Sequence, residues 1–253
     1  MDRANILGVG VSPVNMQMAL AQIQQWIERR EPNYVVAAPA HCIAECLQSE
    51  SLRKVYNRAG MVIPDGRPVA WICRAMGHHN VEQVRGSDLM LEACKRFGGQ
   101  NCRHFLYGGW PPEVVEKLAS NLRERCSGIQ IVGTYAPPFR SVTREEDDAI
   151  VQKINATKPD IVWIGLGAPK QDFWAESHLG RVKATVLIAV GAAFDFHSGR
   201  VRQAPRWMMH VGLEWFFRIL MDPRRLGPRY LKYNPIFIWN VLLQAVGKTP
   251  PPI

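Results

Sequence analysis

The sequence predicts a doubly wound α/β domain with a mostly parallel, Rossmann-like sheet and helices on both faces, followed by a helical, arginine-rich appendage. Short, continuous apolar runs alternate with amphipathic segments up to about residue 195, a pattern typical of parallel strands covered on both faces. After Gly199 the pattern changes to arginine-rich segments that contain several prolines. We therefore expect an α/β domain over residues 1–199 and an appendage over residues 200–253.

The elements follow in chain order from local patterns. Strands are expected at 6–11, 34–38, 60–64, 104–107, 129–132, 160–164 and 185–190, where short apolar runs end at turn residues. Helices are expected at 14–27, 41–57, from 68 onward, and at 86–97, 113–125, 144–156 and 171–178, where apolar residues recur at helical spacing. In the appendage we expect Pro205, Pro223, Pro228 and Pro235 to break the helices.

The composition indicates an anionic partner. The chain has 253 residues, of which 47% are hydrophobic, so it can bury a full core. Its formal net charge is +9, and much of the excess follows Gly199. Such a localised positive charge favours nucleic acid, lipid head groups or a phosphorylated substrate as the partner.

The cysteines and the chain's start indicate a cytoplasmic protein. Six cysteines form no CxxC pair, and the first residues lack the pattern of a signal peptide, so we expect reduced thiols. No stretch reaches the roughly 18–20 apolar residues that a transmembrane helix needs. Residues 235–246 could lie in a membrane interface but are too few to span it.

Residues 204–230, here called the arginine segment, interleave cations with aromatic rings. Its arginines are Arg206, Arg218, Arg224, Arg225 and Arg229, and its aromatics are Trp207, Trp215, Phe216, Phe217 and Tyr230. Guanidinium groups bind phosphate through two parallel hydrogen bonds, whereas a merely solvated basic face would carry more Lys and Glu. The segment therefore predicts a site for a phosphate-rich group at a membrane surface.

Several loops follow predicted strands, at the sheet edge where such folds bind ligands. None is a P-loop, and residues 165–170 lack the third glycine of a dinucleotide fingerprint. Asp65 stands in a tight turn after a buried strand, where a general base could reach a hydroxyl; the alternative is an Asx-turn. Asp195 is likewise expected to end a strand, either as a ligand of a ribose or base or as a helix cap.

Metal-binding patterns are incomplete. His41, Cys42 and Cys46 have no second Cys or His pair to complete a tetrahedral site. There is no DxD pair, and the helix dipole explains the acidic run 145–148. We expect no metal and no other cofactor, so a diphosphate leaving group would depend on arginine side chains.

Six motifs in order carry a resemblance. They are IPDG at 63–66, VRGSDL at 84–89, FLYGG at 105–109, GLGAPKQ at 165–171, GAAFDF at 191–196 and GLEWFFR at 212–218. In these residues the chain resembles the WecG/TagA/CpsF family of bacterial glycosyltransferases, from about residue 36 to residue 230.

The resemblance implies an inverting, metal-independent glycosyltransferase of cell-surface polysaccharide synthesis. It would move a sugar, ManNAc or ManNAcA in the best-known members, from a UDP donor to a polyprenyl-diphosphate-linked sugar. It implies a homo-oligomer on the inner face of the membrane, where residues 200–253 dock and complete the active site of domain 1–199. A nucleic-acid partner is not expected.

The resemblance also assigns roles to residues. Asp65 matches the family's proposed base, and Arg218, Arg225 and Arg229 match arginines that close over the diphosphate. Arg225 and Arg229 are thereby predicted to be catalytic together with Asp65. The other predicted substrate contacts are Arg85, Gly108, Gly109, Tyr135 for stacking on uracil, Gln171, and Asp195 for the nucleoside.

The chain differs from the family pattern after its second predicted strand. Residues 37–41 read AAPAH, where members often carry Thr and Asn, and His41 could take part of the missing sugar contact. Donors with glucose or a uronic acid therefore stay open. Two other functions are a nicotinamide-dependent oxidoreductase on the same fold and a non-enzymatic basic module that binds nucleic acid or membrane.

Overall fold

A computed structural model describes residues 2–247, without the side chains of Arg206, His210 and Arg225. The strands are β1 (Ala4–Ile6), β2 (Val9–Val11), β3 (Asn33–Ala37), β4 (Met61–Ile63), β5 (Arg103–Gly108), β6 (Gln130–Tyr135), β7 (Ile161–Gly165) and β8 (Val186–Ala189). The helices are α1 (Met16–Arg29), α2 (Ala40–Gln48), α3 (Glu50–Arg58), α4 (Arg67–Ala75), α5 (Gly86–Phe97), α6 (Pro112–Arg125), α7 (Arg144–Ala156), α8 (Lys170–His178), α9 (Ala193–Ser198), α10 (Arg206–His210), α11 (Glu214–Met221) and α12 (Pro223–Ala245).

Six strands form a sheet in the order β4-β3-β8-β7-β5-β6, and helices flank it. The pairs β3/β8, β8/β7, β7/β5 and β5/β6 are all parallel, so the strands are joined through crossover helices such as α8 between β7 and β8. The predicted Rossmann-like α/β class is confirmed. Within residues 2–247, no helix is both long and apolar enough to cross a membrane.

The chain folds into two compact units. The first unit comprises the described residues of Met1–Asn15, Ala37–Arg85 and Val201–Ile253, and the second comprises Met16–Val36 and Gly86–Arg200. Residues of the arginine segment thus belong to the same unit as α2, β4 and α4. The functional division predicted at residue 199 stays a prediction.

The core of the second unit lies along β7 and β8. The side chains of Ile161–Ile164 in β7 and of Val186–Ile188 in β8 are fully buried. Because the sheet is covered on both faces, the side chains on both sides of such a strand are buried. A strand that alternated apolar with polar residues would place polar groups in the core. This explains why continuous apolar runs located the strands correctly.

The first predicted strand, at 6–11, is wrong. The structure has an antiparallel hairpin there, β1 and β2, which forms a separate two-stranded sheet. Its turn residues Leu7 and Gly8 have φ angles of 54° and 85°. Positive φ at both turn positions is the geometry of a type I′ turn, which reverses the chain within two residues. The Asn5 carboxamide oxygen accepts a hydrogen bond from Gly8 N at 2.8 Å and stabilises the turn.

The helix predicted at 41–57 is two helices, α2 and α3. Ser49 separates them with an extended backbone, at φ −135° and ψ 100°. Its hydroxyl accepts a hydrogen bond from Leu52 N at 3.3 Å and caps α3. Serine is a favoured N-cap because its side chain satisfies one of the free N–H groups of a first turn.

The expectation that Pro228 and Pro235 break the C-terminal helices is also wrong, since both lie inside α12. A proline inside a helix removes one backbone hydrogen bond and costs about 3 kcal/mol. Packing against α2 and α11 and the burial of Tyr230 and Phe237, 4% and 3% exposed, offset this cost. Tertiary contacts thus decide where this helix ends.

A hydrogen bond also ties the end of α12 to the hairpin. The Gln244 carboxamide accepts from Leu7 N at 3.1 Å and donates to Asn5 O at 2.7 Å. Gln244 therefore anchors α12 far from its first turn.

One buried histidine makes the second unit sensitive to acid. His104 in β5 is fully buried and lies edge to edge with the parallel ring of Trp163, whose Nε1 donates to His104 Nδ1 at 3.0 Å. The His104 Nε2 atom has no hydrogen-bond partner within the described part of the chain. Burial lowers the pKa of His104 to about 4.

We expect the free energy of unfolding to fall as the pH drops from about 6.5 to about 4. In this range His104 is protonated in the unfolded chain but stays neutral in the folded protein. For a pKa near 4 the loss is about 3 kcal/mol. His104→Gln, which can still accept from Trp163, should flatten the profile in urea unfolding between pH 7 and pH 4. The exposed control His79→Gln should reproduce the wild-type profile, and an equally steep H104Q profile would contradict the assignment.

Candidate active site

Asp65 lies where the sequence predicts a base, just beyond the buried strand β4. The turn continues through Gly66 into α4, and Asp65 is half-buried. Two backbone carbonyls of the turn are held from residues 83–84: Gln83 Nε2 donates to Asp65 O and Val84 N donates to Pro64 O, both at 3.0 Å. The backbone that carries the carboxylate is therefore fixed.

The arginine segment reaches α2 through α12. Arg229 Nη2 lies 2.6 Å from Glu45 Oε2, and these side chains are only 23% and 19% exposed. The same Nη2 lies 3.7 Å from Cys42 Sγ. One turn before Glu45, the ring of His41 meets Tyr230 edge-on, with centroids 4.7 Å apart. An ion pair and an aromatic contact therefore join the two helices.

His41 lies in this contact, 7% exposed. Burial, and then the positive charges of Arg229 and Arg218, hold its pKa well below the usual range. At neutral pH its imidazole is uncharged, with one donor and one acceptor nitrogen. A neutral ring can donate a hydrogen bond to a hydroxyl and accept one from it, and the sugar contact of His41 stays a prediction.

The pKa of Tyr230 responds to the charged groups of this region. Burial is the main cause of its raised pKa, and the negative charges of Asp65 and Glu214 act in the same direction, whereas Arg218 opposes them. The first unit thus brings the predicted base Asp65 and the predicted diphosphate ligand Arg218 within electrostatic reach of one phenol.

Arg85, a predicted substrate contact, faces the C-terminal helices. Its Nη1 lies 3.7 Å from Glu214 Oε2 of α11 and also contacts the sulfur of Met209. Arg67, the first residue of α4, donates from Nε to Met209 O at 2.9 Å. Sequence reasoning missed Arg67, Glu45 and Glu214. For Arg67, its place at the start of a helix directly after the Asp65 turn was an available signal.

The second unit carries the predicted glycine loops. Gly108 has a φ of 135°, and a Cβ there would lie 2.5 Å from Gly165 O. Gly109 N donates to the same oxygen at 3.3 Å, and a Cβ on Gly165 would overlap the ring of Phe194. The loops after β5 and β7 therefore pack backbone against backbone, which only glycine permits.

Gln171 lies between the loops that follow β7 and β8. It is 4% exposed, and its Oε1 accepts from Gly167 N at 3.2 Å. A Cβ on Gly191 would lie 3.2 Å from that same oxygen. The carboxamide thus holds the predicted substrate-binding loops at a set distance.

Asp195 lies in the first turn of α9, not at the end of a strand, because β8 ends at Ala189. Its Oδ1 lies 3.5 Å from Arg200, which donates to Trp110 O at 2.6 Å. Arg200 therefore links Asp195 to the loop that begins at Gly108.

Tyr135 ends β6 and forms part of a pocket of about 300 Å³. Its ring is parallel to that of Tyr107 at 6.2 Å, and Lys153 Nζ lies 4.8 Å from its centroid. Pro138, Arg140, Val142, Glu146, Ala149, Ile150 and Lys153 line the rest of the pocket. An aromatic wall beside cations is suited to a flat, polar ring.

The predicted site residues thus fall into two sets. Asp65, His41, Arg85, Arg218 and Arg229 lie in the first unit, and Gly108, Gly109, Tyr135, Gln171 and Asp195 lie in the second. The side chain of Arg225, a predicted catalytic residue, lies outside the described part of the structure. Among the described residues, no three His, Cys, Asp or Glu side chains are placed to hold a metal ion.

Comparison with known proteins agrees with these observations. The sequence model of the family described as "Glycosyl transferase WecG/TagA/CpsF family" matches residues 4–250. A relative from Staphylococcus aureus strain MW2 is 26% identical over 241 residues, which are 94% of this chain and 92% of the relative. A relative from strain MRSA252 is 25% identical with the same coverage. Both are named N-acetylglucosaminyldiphosphoundecaprenol N-acetyl-beta-D-mannosaminyltransferase.

These matches decide against the oxidoreductase and the non-enzymatic module. Because the family match extends over almost the whole chain, the protein belongs to the WecG/TagA/CpsF family and is a glycosyltransferase.

Proposed function

We propose that the protein transfers N-acetylmannosamine from a UDP donor to the GlcNAc of GlcNAc-diphosphoundecaprenol, in cell-envelope polysaccharide synthesis. The acceptor and the sugar are those in the relatives' names. The observation that carries the proposal is the position of Asp65, whose backbone is fixed just beyond β4 in the unit that also contains Arg218. A carboxylate and a guanidinium are the two groups that a metal-free glycosyl transfer requires.

The proposed reaction is a single displacement. Asp65 accepts the proton of the acceptor hydroxyl as the hydroxyl oxygen bonds to the anomeric carbon of the donor. The bond between that carbon and the diphosphate oxygen breaks, and its electron pair leaves with UDP. Attack from the face opposite the leaving group inverts the anomeric configuration. No other reactant is needed for the balance of atoms and charge.

The negative charge that develops on UDP is assigned to Arg218, Arg225 and Arg229. Fixed donors aimed at developing charge stabilise a transition state without reorganisation. Planar guanidinium groups offer paired N–H donors that match phosphate oxygens. In this proposal the arginines take the role that a divalent cation has in metal-dependent transferases.

Nucleoside recognition is assigned to the second unit. Tyr135 is the proposed platform for uracil, because its ring forms one wall of the pocket after β6. Asp195, tied to Arg200, is the proposed acceptor of nucleoside hydrogen bonds. The glycines at 108–109 would let the backbone approach the donor closely, and Gln171 would hold the loop after β7 in place beside it.

The outer face of α12 suits peripheral contact with the inner face of the membrane. The exposed apolar residues of α12 are Leu231, Ile238, Trp239 and Leu242, at 71%, 59%, 64% and 56% exposure, and Val246 directly after the helix is 79% exposed. They recur at helical spacing, and tryptophan favours the interfacial zone of a bilayer. A peripheral position would bring the enzyme to its lipid-linked acceptor. Assembly into a homo-oligomer also stays a proposal.

A donor screen tests the function. Purified protein, GlcNAc-diphosphate-lipid acceptor and UDP-ManNAc should release UDP and form a disaccharide-lipid, with slower reaction of UDP-glucose and UDP-uronate. The rate should be the same with and without EDTA. Faster product formation from a different donor would identify that sugar as the substrate. Loss of activity in EDTA would contradict the metal-free mechanism.

Asp65→Asn should lower kcat by roughly 10²–10⁴-fold, because the amide cannot accept the proton. The change is isosteric, so the melting temperature should stay close to that of the wild type. Glu50→Gln, an exposed carboxylate on α3 of the same unit, is the matched control and should keep full activity. Near-normal transfer by D65N would remove Asp65 as the base.

Arg229→Met should lower kcat and kcat/KM together by roughly 10²–10³-fold, as expected for a contact made mainly in the transition state. Steady-state kinetics and thermal unfolding separate this effect from a folding defect. Exposed Arg58→Met on α3 serves as the control. If R229M kept its kcat, Arg229 would have no part in leaving-group stabilisation.

A further inference from the structure

Glu45 is the acidic side chain that meets the arginine segment on α2. Its Oε2 lies 2.6 Å from Arg229 Nη2, and both side chains are about four-fifths buried. The same Nη2 is 3.7 Å from Cys42 Sγ, one turn earlier on α2. One edge of the Arg229 guanidinium is thus held by a single face of α2.

Stability alone gives a poor account of this pair. Taking two charges out of water costs about as much as their attraction returns, so apolar residues of similar size would serve helix packing at least as well. The docking of α12 also has other supports. His41 and Tyr230 meet at 4.7 Å, and Gln244 bonds to the backbone of Asn5 and Leu7. The helix therefore has contacts besides the Glu45 ion pair that hold it in place.

The geometry of a guanidinium indicates what Glu45 does. The five N–H donors of arginine lie in one plane, so a carboxylate that fixes one edge also fixes the direction of the others. A free arginine loses rotamer entropy when it binds a phosphate, whereas an anchored arginine has already lost it. Anchoring Arg229 stabilises the transition state only if Arg229 contacts the reacting groups in that state.

We propose that Glu45 is a positioning residue for the reaction, which holds Arg229 in the orientation that meets the diphosphate of the leaving group. Glu45 acts through Arg229 and does not contact the substrate. The proposal rests on the proposed function, since it takes Arg229 as a leaving-group ligand. It differs from that function in naming an acidic residue that supports an anion site.

A double-mutant cycle tests it, with Glu45→Gln, Arg229→Met and the double variant assayed for kcat and donor KM. E45Q keeps an acceptor of equal size but loses the charge, and we expect kcat to fall roughly tenfold with KM changed less than about twofold. In the R229M background the same change should have no further effect on kcat, because its only target is gone. Glu45→Asp, which keeps the charge but is shorter, should be intermediate. Glu50→Gln is the control.

Equal losses from E45Q with and without Arg229 would mean that Glu45 acts independently of Arg229, and an unchanged kcat in E45Q would mean that it does not act at all. Either result would overturn the proposal. Thermal unfolding of each variant guards against a folding defect.

A second measurement does not depend on activity. Phenylglyoxal modifies accessible guanidinium groups, and peptide mass spectrometry assigns the site. Modification of Arg229 should be at least about fivefold faster in E45Q than in wild type, and unchanged in E50Q. An equal modification rate in E45Q and wild type would show that Glu45 does not hold Arg229, whether or not the protein transfers a sugar. Absence of sugar transfer would instead refute the proposed function.

Discussion

The docking of α12 on α2 is the constraint on which the arrangement of the first unit depends. Two prolines leave α12 without two of its backbone hydrogen bonds, so the helix relies on packing to persist. The ion pair between Arg229 and Glu45 and the ring contact between His41 and Tyr230 supply that packing at one end. Gln244 supplies it at the other. The same contacts fix the cations and rings that the proposed chemistry uses.

The charge around this contact is more balanced than the arginine-rich sequence suggests. Arg229 meets Glu45, and Arg85 faces Glu214 at 3.7 Å. Uncompensated arginines packed together would repel one another and lose hydration. Carboxylates within the unit reduce that cost and also limit the directions that the guanidinium groups can take. The proposed anion site would thereby be preorganised, which favours catalysis.

The proposed base Asp65 and His41 illustrate two degrees of burial. Asp65 stays half-buried at the end of a strand, where a carboxylate can exchange a proton with a bound hydroxyl. His41 is almost wholly buried beside two arginines, and its depressed pKa keeps it neutral at physiological pH. The tasks proposed for them differ accordingly, proton transfer for Asp65 and hydrogen bonding for His41.

Much of the fold could be read from the sequence because it depends on local rules. Continuous apolar runs located the buried strands, and turn residues located Asp65 and the glycine loops at strand ends. The hairpin formed by β1 and β2 was not predicted from the sequence because leucine, here Leu7, rarely adopts a positive φ. The continuous helix α12 was not predicted either, because contacts with distant residues offset the local cost of Pro228 and Pro235.

The sequence by itself determined the α/β class, the family and the identity of the candidate residues, because periodicity and motif order are properties of neighbours along the chain. Only the tertiary structure decided which charges meet. Glu45 and Arg229 are 184 positions apart, and nothing local marks them as partners. Their pairing exists because folding brings α2 and α12 together and leaves too little water between them for either charge to remain alone.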